Sequence, residues 1–129
     1  MVAIDTNIIV RLLTRDDEAQ FLKAAALFGK HDIFIPETVI LETEWVLRYA
    51  YKFEPDAICD AFIKILGLPN VKTSRQGILA QAITLTRQGL DFADALHLAS
   101  SQECTQFATF NTALIKQANG LTKCRVQEP

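Results

Sequence analysis

The first residues of the chain constrain its fold more than any other stretch. An apolar run over residues 2–4 ends in Asp5, Thr6 and Asn7, and a second apolar run follows over residues 8–10. This order predicts a buried strand that ends at Asp5 and a helix that begins at Asn7 or just before it. Ligands of open α/β sheets bind at the carboxyl ends of the strands, so Asp5 is either a helix cap or a ligand for a positively charged group.

Length and composition are those of one folded domain. The chain has 129 residues, 50% hydrophobic and 22% charged, so we expect a single domain over residues 1–129. The three cysteines are odd in number and form no CxxC pair, which indicates a reducing environment and neither disulfides nor a zinc site. No apolar run approaches the ~18 residues of a membrane span, and no basic leader precedes the first strand. We expect a cytoplasmic protein.

Short apolar runs alternate with helical patterns along the whole chain. The predicted strands lie at residues 2–4, 33–35, 70–73 and 107–110, with a possible fifth at 124–126, and the predicted helices include residues 7–14, 37–51, 55–66 and 91–104. Strands separated by helices need crossover connections, which give a parallel sheet with helices on both faces. The predicted fold class is α/β, a three-layer α/β/α sandwich with a central parallel sheet of four or five strands.

Two glutamates of one predicted helix are expected in different surroundings. With Val39 and Val46 at the centre of the apolar stripe, Glu42 lies on the shoulder of that stripe. Glu44 lies on the solvated face, where it can pair with Arg48 four residues on. A half-buried carboxylate is costly unless something pairs with it. Glu42 is therefore the functional candidate, and Glu44 is assigned to the surface.

Asp91 and Asp94 open another predicted helix. Their i,i+3 spacing puts both carboxylates on one side of the first turn, and the plain interpretation is an N-cap with a second acid that the helix dipole favours. Because Ala95, Leu98 and Ala99 continue an apolar face, Asp94 is also expected at the rim of the core, near the strand ends. Both interpretations stay open at this point.

Asn111 follows the fourth predicted strand in the way that Asp5 follows the first. It either reaches the same sheet edge or caps the last helix. Strand ends and helix starts thus carry a set of oxygen ligands without matching lysines or arginines: Asp5, Glu42, Asp91, Asp94 and Asn111. Hard oxygen ligands select Mg²⁺ or Mn²⁺, which promote in-line attack of water on a phosphodiester. Bound metal would also reverse the local field, so the net charge of −2 does not exclude nucleic-acid binding.

Four stretches together make the chain resemble a PIN-domain ribonuclease, specifically a VapC-type toxin of a bacterial toxin–antitoxin pair. They are Ile4-Asp5-Thr6-Asn7, Val39 to Arg48, Asp91 to Leu96, and Ala108-Thr109-Phe110-Asn111. Any one of them can occur by chance, whereas all four in this order are specific and span essentially the whole chain. The resemblance implies an RNA-cleaving enzyme that uses Mg²⁺ or Mn²⁺, forms a homodimer and is blocked by a cognate antitoxin.

Carried across residue by residue, the resemblance assigns metal binding and catalysis to Asp5, Glu42, Asp94 and Asp91. Thr6 and Asn7 match the polar residues after the first acid, which orient that acid or a water molecule. One position departs from the pattern, since many relatives have an aspartate where this chain has Asn111. Asparagine offers a carbonyl oxygen but no charge, which weakens a second metal site most and leaves one or two metals open.

The basic residues are scattered along the chain. Arg11 and Arg15 follow the Asp5 motif with i,i+4 spacing and are the best candidates for phosphate contacts. His97 lies one turn after Asp94, but a metal-dependent nuclease requires no histidine base, because the metal lowers the pKa of water.

The sequence favours a Mg²⁺-dependent endoribonuclease that hydrolyses RNA phosphodiester bonds as the toxin of a toxin–antitoxin pair. One alternative is a PIN-fold binding module with weak or lost nuclease activity that acts through a protein partner, and Asn111 is the feature that favours it. A second is a receiver-like domain with Asp5 as the phosphorylated acid. That domain would need a pocket lysine near the last strands, and Lys116 and Lys123 are poorly placed for it.

Overall fold

Five short strands alternate with seven helices in the computed structural model, which describes residues 1–129. The α/β class predicted from the sequence is confirmed. The chain divides into two compact units, Met1–Gln76 and Gly77–Pro129, and all strand pairs within them are parallel. All three cysteines are unpaired. No helix combines the length and the apolar character needed to cross a membrane.

Three strands of the first unit form one parallel sheet. β1 (Val2–Ala3) pairs with β2 (Ile33–Phe34), and β2 pairs with β3 (Val71–Lys72), with the first residues of the three strands in register. The ladder continues one step further, because the Ile4 N–H donates to the Phe34 carbonyl (3.2 Å) and the Ile35 N–H donates to the Lys72 carbonyl (2.9 Å). Ile4 is thus the last residue held by the sheet, and the chain leaves the sheet at Asp5.

Four helices connect and flank these strands. They are α1 (Thr6–Thr14), α2 (Glu18–Lys30), α3 (Glu37–Tyr49) and α4 (Pro55–Leu66). α1 packs against α2 and α3, and α3 packs against α4. The apolar core of this unit includes Ile9, Ile40, Leu47 and Phe62, all fully buried.

Helix α3 ends at Tyr49, two residues before the predicted end. Lys52 takes a left-handed backbone conformation with φ 59°, which continues no helix. The chain then folds back, because the Phe53 N–H donates to the Leu47 carbonyl (3.0 Å). This turn fixes Tyr51 beside the end of α3.

The second unit contains three helices and a two-stranded parallel sheet. Its elements are α5 (Gln76–Arg87, whose first residue belongs to the first unit), α6 (Phe92–Ala99), β4 (Gln106–Ala108), α7 (Thr112–Ala118) and β5 (Arg125–Gln127). The prediction that the helix from Asp91 continues to about Cys104 is wrong. After Ala99 the Ser101 N–H donates to the Leu98 carbonyl (3.0 Å), and this tighter turn ends the helix in a polar segment.

Candidate active site

Asp5 occupies the position where β1 ends and α1 begins. Its backbone is extended, and its Oδ1 accepts a hydrogen bond from the N–H of Thr6 at 2.7 Å. The helix-cap interpretation of Asp5 is therefore confirmed. The cap uses only one carboxylate oxygen, and the exposed side chain makes no further hydrogen bond within the protein. Asp5 thus keeps an oxygen that can bind a ligand.

Thr6 connects Asp5 to Glu42. Its side chain is buried, and its hydroxyl donates a hydrogen bond to Glu42 Oε1. The backbone N–H of the same residue binds Asp5, so one threonine orients both carboxylates. The second oxygen of Glu42 makes no hydrogen bond within the protein, and the residue is exposed. Thr6 thus lies between the two carboxylates and binds both of them, and the role that the resemblance implied for it stays a prediction.

The burial of the two glutamates in α3 reverses the prediction made from the sequence. Glu44 is buried, with 5% of its surface exposed, whereas Glu42 is exposed. The prediction centred the apolar stripe on Val39 and Val46, but the buried residues of the helix are Ile40, Thr43, Glu44 and Leu47. Fully burying the larger side chains of Ile40 and Leu47 removes more apolar surface from water, and this turns Glu44 inward.

Arg48 compensates the buried charge of Glu44. Its Nε and Nη2 donate to the two carboxylate oxygens of Glu44 at 2.8 Å and 3.1 Å. The i,i+4 pairing predicted from the sequence is confirmed, although it forms at a buried position. Glu44 is a structural acid, and Glu42 is the acid of this helix that remains available to a ligand.

Asp5, Thr6 and Glu42 line one open groove of about 440 Å³. The other residues that line it are Asn7, Val10, Arg11, Val46, Ala50 and Tyr51. The groove therefore lies within the first unit and combines two carboxylates with one guanidinium and one phenol.

Three side chains hold Arg11 at this groove. Its Nη1 donates to Asp16 Oδ1 (3.0 Å) and to the Tyr51 hydroxyl (3.1 Å), and its Nε donates to Gln20 Oε1 (2.5 Å). The Tyr51 hydroxyl in turn donates to Asp16 Oδ2 at 2.6 Å. The hydrogen bond with Tyr51, with the charge of Asp16 in support, raises the pKa of Arg11. The hydrogen bond from Tyr51 also lowers the pKa of Asp16, so both charges of the pair are stabilised.

Arg15, the other predicted phosphate contact, does not line the groove. It is the C-cap of α1 with φ 53°, and its Nη2 donates to Glu18 at 2.8 Å. Its guanidinium also lies over the Phe21 ring, 4.1 Å from the centroid. Through these contacts Arg15 links the C-terminal end of α1 to the N-terminal end of α2.

In the second unit, Asp91 is the N-cap of α6. Its Oδ2 accepts hydrogen bonds from the N–H groups of Ala93 (3.1 Å) and Asp94 (3.4 Å), so the plain interpretation of this pair is confirmed for Asp91. Asp94 is partly buried, and its carboxylate makes no hydrogen bond or ion pair within the protein. Burial, with the negative charge of Asp91 in support, raises the pKa of Asp94, and His97 opposes that rise.

Asn111 caps helix α7. Its Oδ1 accepts a hydrogen bond from the Leu114 N–H at 3.1 Å, which is the capping interpretation weighed from the sequence. The carbonyl oxygen that the resemblance offered to a metal is thus already engaged by the helix. The Asn111 side chain therefore has a structural role in this helix.

Residues 2–119 match the family model of the PIN domain, a span that includes most of both units. The chain belongs to the PIN domain family. PIN domains are generally nucleases, so the fold is a nuclease fold. No curated protein matches the chain.

PIN nucleases typically use divalent metal ions. Whether the groove suits such an ion depends on the number and kind of its donor atoms. No three His, Cys, Asp or Glu side chains are grouped so that they could hold a metal. The donors at the groove nevertheless have the right chemistry, since Asp5, Glu42, Thr6 and Asn7 all supply hard oxygen atoms. Mg²⁺ is commonly held by one or two carboxylates, while water and substrate phosphate complete its shell. The carboxylates of this PIN domain fit such a site.

The structure brings five of the sequence-predicted residues together at the groove: Asp5, Thr6, Asn7, Arg11 and Glu42. Sequence reasoning missed the part that Asp16 and Tyr51 play there. Asp16 lies five residues after Arg11, which is not a helical pairing distance, and the two meet because Arg15 reverses the chain between them. Tyr51 follows the end of α3, where no pattern predicts its direction. No signal in the sequence pointed to this contact.

Proposed function

We propose that this PIN domain is a divalent metal-dependent endoribonuclease that hydrolyses phosphodiester bonds in RNA. Membership of a nuclease family supports hydrolysis, and PIN nucleases bind RNA. The observation that carries the proposal is the arrangement of Asp5 and Glu42 around Thr6 on one groove, each with an oxygen left for a ligand. We also propose that residues 1–129 act as one domain, because the family match runs through both units.

Asp5 and Glu42 are the proposed ligands of Mg²⁺ or Mn²⁺ in the first unit. When bound, such an ion supplies an activated water molecule and neutralises charge on the phosphate. Thr6 keeps the two carboxylates in fixed orientations, so little reorganisation is needed on binding. Asn7 lines the same groove and offers an amide to water or to the RNA backbone.

Asp91 and Asp94 are proposed as further catalytic acids. Asp94 is the stronger of the two, because its carboxylate is partly buried and makes no hydrogen bond within the protein. Asp91 already accepts two backbone hydrogen bonds, so its contribution includes the orientation of the first turn of α6. Asn111 is proposed only as a weak contributor, through water, because its oxygen caps α7.

A biological setting is proposed from the motif resemblance alone. The four matching stretches are those of VapC-type toxins, which predicts a cytoplasmic homodimer and a cognate antitoxin that blocks the groove. Growth arrest of a bacterial host on expression, relieved by Asp5→Asn and by a small protein encoded in an adjacent reading frame, is the result that this setting predicts. Unimpaired growth with abundant folded protein would contradict the toxin role.

A binding module with weak or lost activity is the second candidate. The capping role of Asn111 favours it, since a carboxylate common in relatives is replaced by an amide that is already engaged. This candidate predicts that the protein associates with its partner normally and cleaves no RNA at any metal concentration.

RNA cleavage by wild type and by Asp5→Asn tests the proposed function. We expect cleavage of a mixed RNA pool that needs Mg²⁺ or Mn²⁺, stops with EDTA and falls about a hundredfold or more in Asp5→Asn. Asp32→Asn is the matched control, because Asp32 is an exposed aspartate that does not line the groove and should leave cleavage unchanged. Equal cleavage by Asp5→Asn, or cleavage that resists EDTA, would overturn the assignment.

A further inference from the structure

Arg11 is the centre of a hydrogen-bonded network with Asp16, Gln20 and Tyr51, called here the Arg11 network. Arg11 is the guanidinium that lines the groove with Asp5 and Glu42, and its side chain is 30% exposed. We infer that Tyr51 and Asp16 position Arg11 as the residue that holds a phosphate of the RNA substrate. This inference rests on the proposed function and names the positioning residues of its substrate site.

The hydrogen bonds of Arg11 leave one edge of the guanidinium unused. Nε and Nη1 are occupied by Gln20, Asp16 and Tyr51, whereas Nη2 makes no hydrogen bond within the protein. A guanidinium donates in a rigid planar fork, so fixing Nε and Nη1 also fixes the direction of the two Nη2 donors. Charge-assisted hydrogen bonds from arginine to phosphate oxygens are about twice as strong as hydrogen bonds between neutral groups. Arg11 is thus a partly exposed, pre-oriented anion contact.

The direction of each hydrogen bond in the network is determined by chemistry. Arginine only donates and an ionised aspartate only accepts, so the Tyr51 hydroxyl must accept from Arg11 and donate to Asp16. The Tyr51 hydroxyl can therefore bridge the two charged side chains with only one assignment of donor and acceptor. Phenylalanine at position 51 would keep the ring and remove both bonds.

The segment that carries Tyr51 is itself held in place. The Tyr51 N–H donates to the Val46 carbonyl (3.4 Å), and the Tyr51 ring meets the Phe53 ring edge-on with centroids 6.4 Å apart. The left-handed conformation of Lys52 joins these two contacts. Tyr51 consequently reaches Arg11 from a fixed turn and can act as a positioning residue.

Asp16 has two opposite effects on the binding of RNA by Arg11. Its negative charge neutralises part of the Arg11 charge, which lowers the attraction between Arg11 and a distant polyanion. Its ion pair with Arg11 also restrains the Arg11 side chain. Thr14 gives Asp16 a weaker contact, since its single hydroxyl proton is shared between the Val10 carbonyl (2.7 Å) and Asp16 Oδ1 (2.9 Å). Loss of the Tyr51 hydroxyl should therefore alter how well RNA is held at the groove while the number of phosphate charges neutralised stays the same.

The test combines steady-state cleavage with binding of a fluorescent single-stranded RNA oligonucleotide in Ca²⁺ buffer without Mg²⁺. For Arg11→Gln we expect RNA binding weakened about tenfold or more and a salt slope lower by about one. For Tyr51→Phe we expect KM and the Kd raised about threefold to tenfold, with kcat and the salt slope unchanged. Asp16→Asn disrupts the same network and should also raise KM, but by less than Tyr51→Phe, because removal of the negative charge of Asp16 strengthens the attraction between Arg11 and RNA.

Tyr49→Phe is the matched control, because Tyr49 also accepts a hydrogen bond from an arginine, Arg48 at 3.2 Å, and does not line the groove. It should bind and cleave RNA as wild type does. The inference is overturned if Tyr51→Phe and Asp16→Asn both behave like Tyr49→Phe, if Arg11→Gln keeps wild-type affinity, or if the wild type binds no RNA. Absence of cleavage with the expected order of RNA affinities would overturn the proposed function and leave the Arg11 contact standing.

Discussion

Glu42 and Glu44 lie two residues apart on α3 and meet opposite environments. Glu44 is buried and accepts two hydrogen bonds from Arg48. Glu42 is exposed, accepts one hydrogen bond from Thr6 and lines the groove that also contains Asp5. The comparison shows that a buried, charge-paired carboxylate belongs to the structure, whereas a carboxylate with an unused oxygen at a groove is the one available for chemistry.

The largest expected effect is on RNA cleavage, which should depend on Glu42 and not on Glu44. Glu42→Gln should lower metal-dependent RNA cleavage about a hundredfold or more, because a proposed metal ligand loses its charge. Glu44→Gln should stay within about threefold of wild type when cleavage is measured well below its unfolding temperature, since the side chain does not line the groove. Similar losses of cleavage in both variants would contradict the different roles assigned to Glu42 and Glu44.

The second-largest expected effect is on stability, and it distinguishes the environment of Glu44 from that of Glu42. Arg48→Met leaves the buried Glu44 carboxylate without the guanidinium and should lower the free energy of unfolding by about 3 kcal/mol, the lower end for a buried pair because Arg48 is partly exposed. Glu42→Gln should change it by less than about 0.5 kcal/mol, as for an exposed residue. Urea unfolding of both variants measures the difference. In the double variant Glu44→Met with Arg48→Met, most of the loss should be recovered, and failure to recover would show that Arg48 acts through other contacts.

The smallest effect extends the comparison to Asp94, an acid without an ion-pair partner. Burial and the charge of Asp91 raise the pKa of Asp94. The folded state therefore binds more protons than the unfolded state between the two pKa values, and stability falls as pH rises through that window. Asp94→Asn should be more stable than wild type at pH 7, by less than about 0.5 kcal/mol, and equal to it near about pH 3. Urea unfolding at both pH values checks the sign, and a variant less stable at pH 7 would contradict it.

Sequence patterns predicted those parts of the molecule that depend on local chemistry. Helix caps at Asp5, Asp91 and Asn111 follow from short polar side chains at strand or loop ends. The bounds of α4 follow from Pro55 at its start and Gly67 after its end. The alternation of apolar runs and helices predicted the parallel α/β class, which requires no knowledge of side-chain contacts.

Features that depend on tertiary packing could not be predicted in this way. The predicted stripe of α3 is misplaced because Val39 and Val46 are each followed by a larger apolar residue, and only packing shows that these larger residues, Ile40 and Leu47, are inside. The hydrogen bond between Arg11 and Tyr51 joins residues that are forty positions apart in the sequence, and no periodic pattern predicts such a contact. The hydrogen-bonded grouping of the strands into a three-stranded and a two-stranded sheet likewise depends on long-range geometry.

The most direct test of the proposed metal site is a calorimetric titration of the intact protein with Mn²⁺ in the absence of RNA. Wild type and Glu44→Gln should bind the ion with similar affinity, if Glu44→Gln is folded at the temperature used. Asp5→Asn and Glu42→Gln should each weaken that binding about tenfold or more, because each removes a charged oxygen ligand. Equal Mn²⁺ affinity in wild type, Asp5→Asn and Glu42→Gln, or no Mn²⁺ binding by wild type, would contradict the assignment of these two carboxylates as the centre of the site.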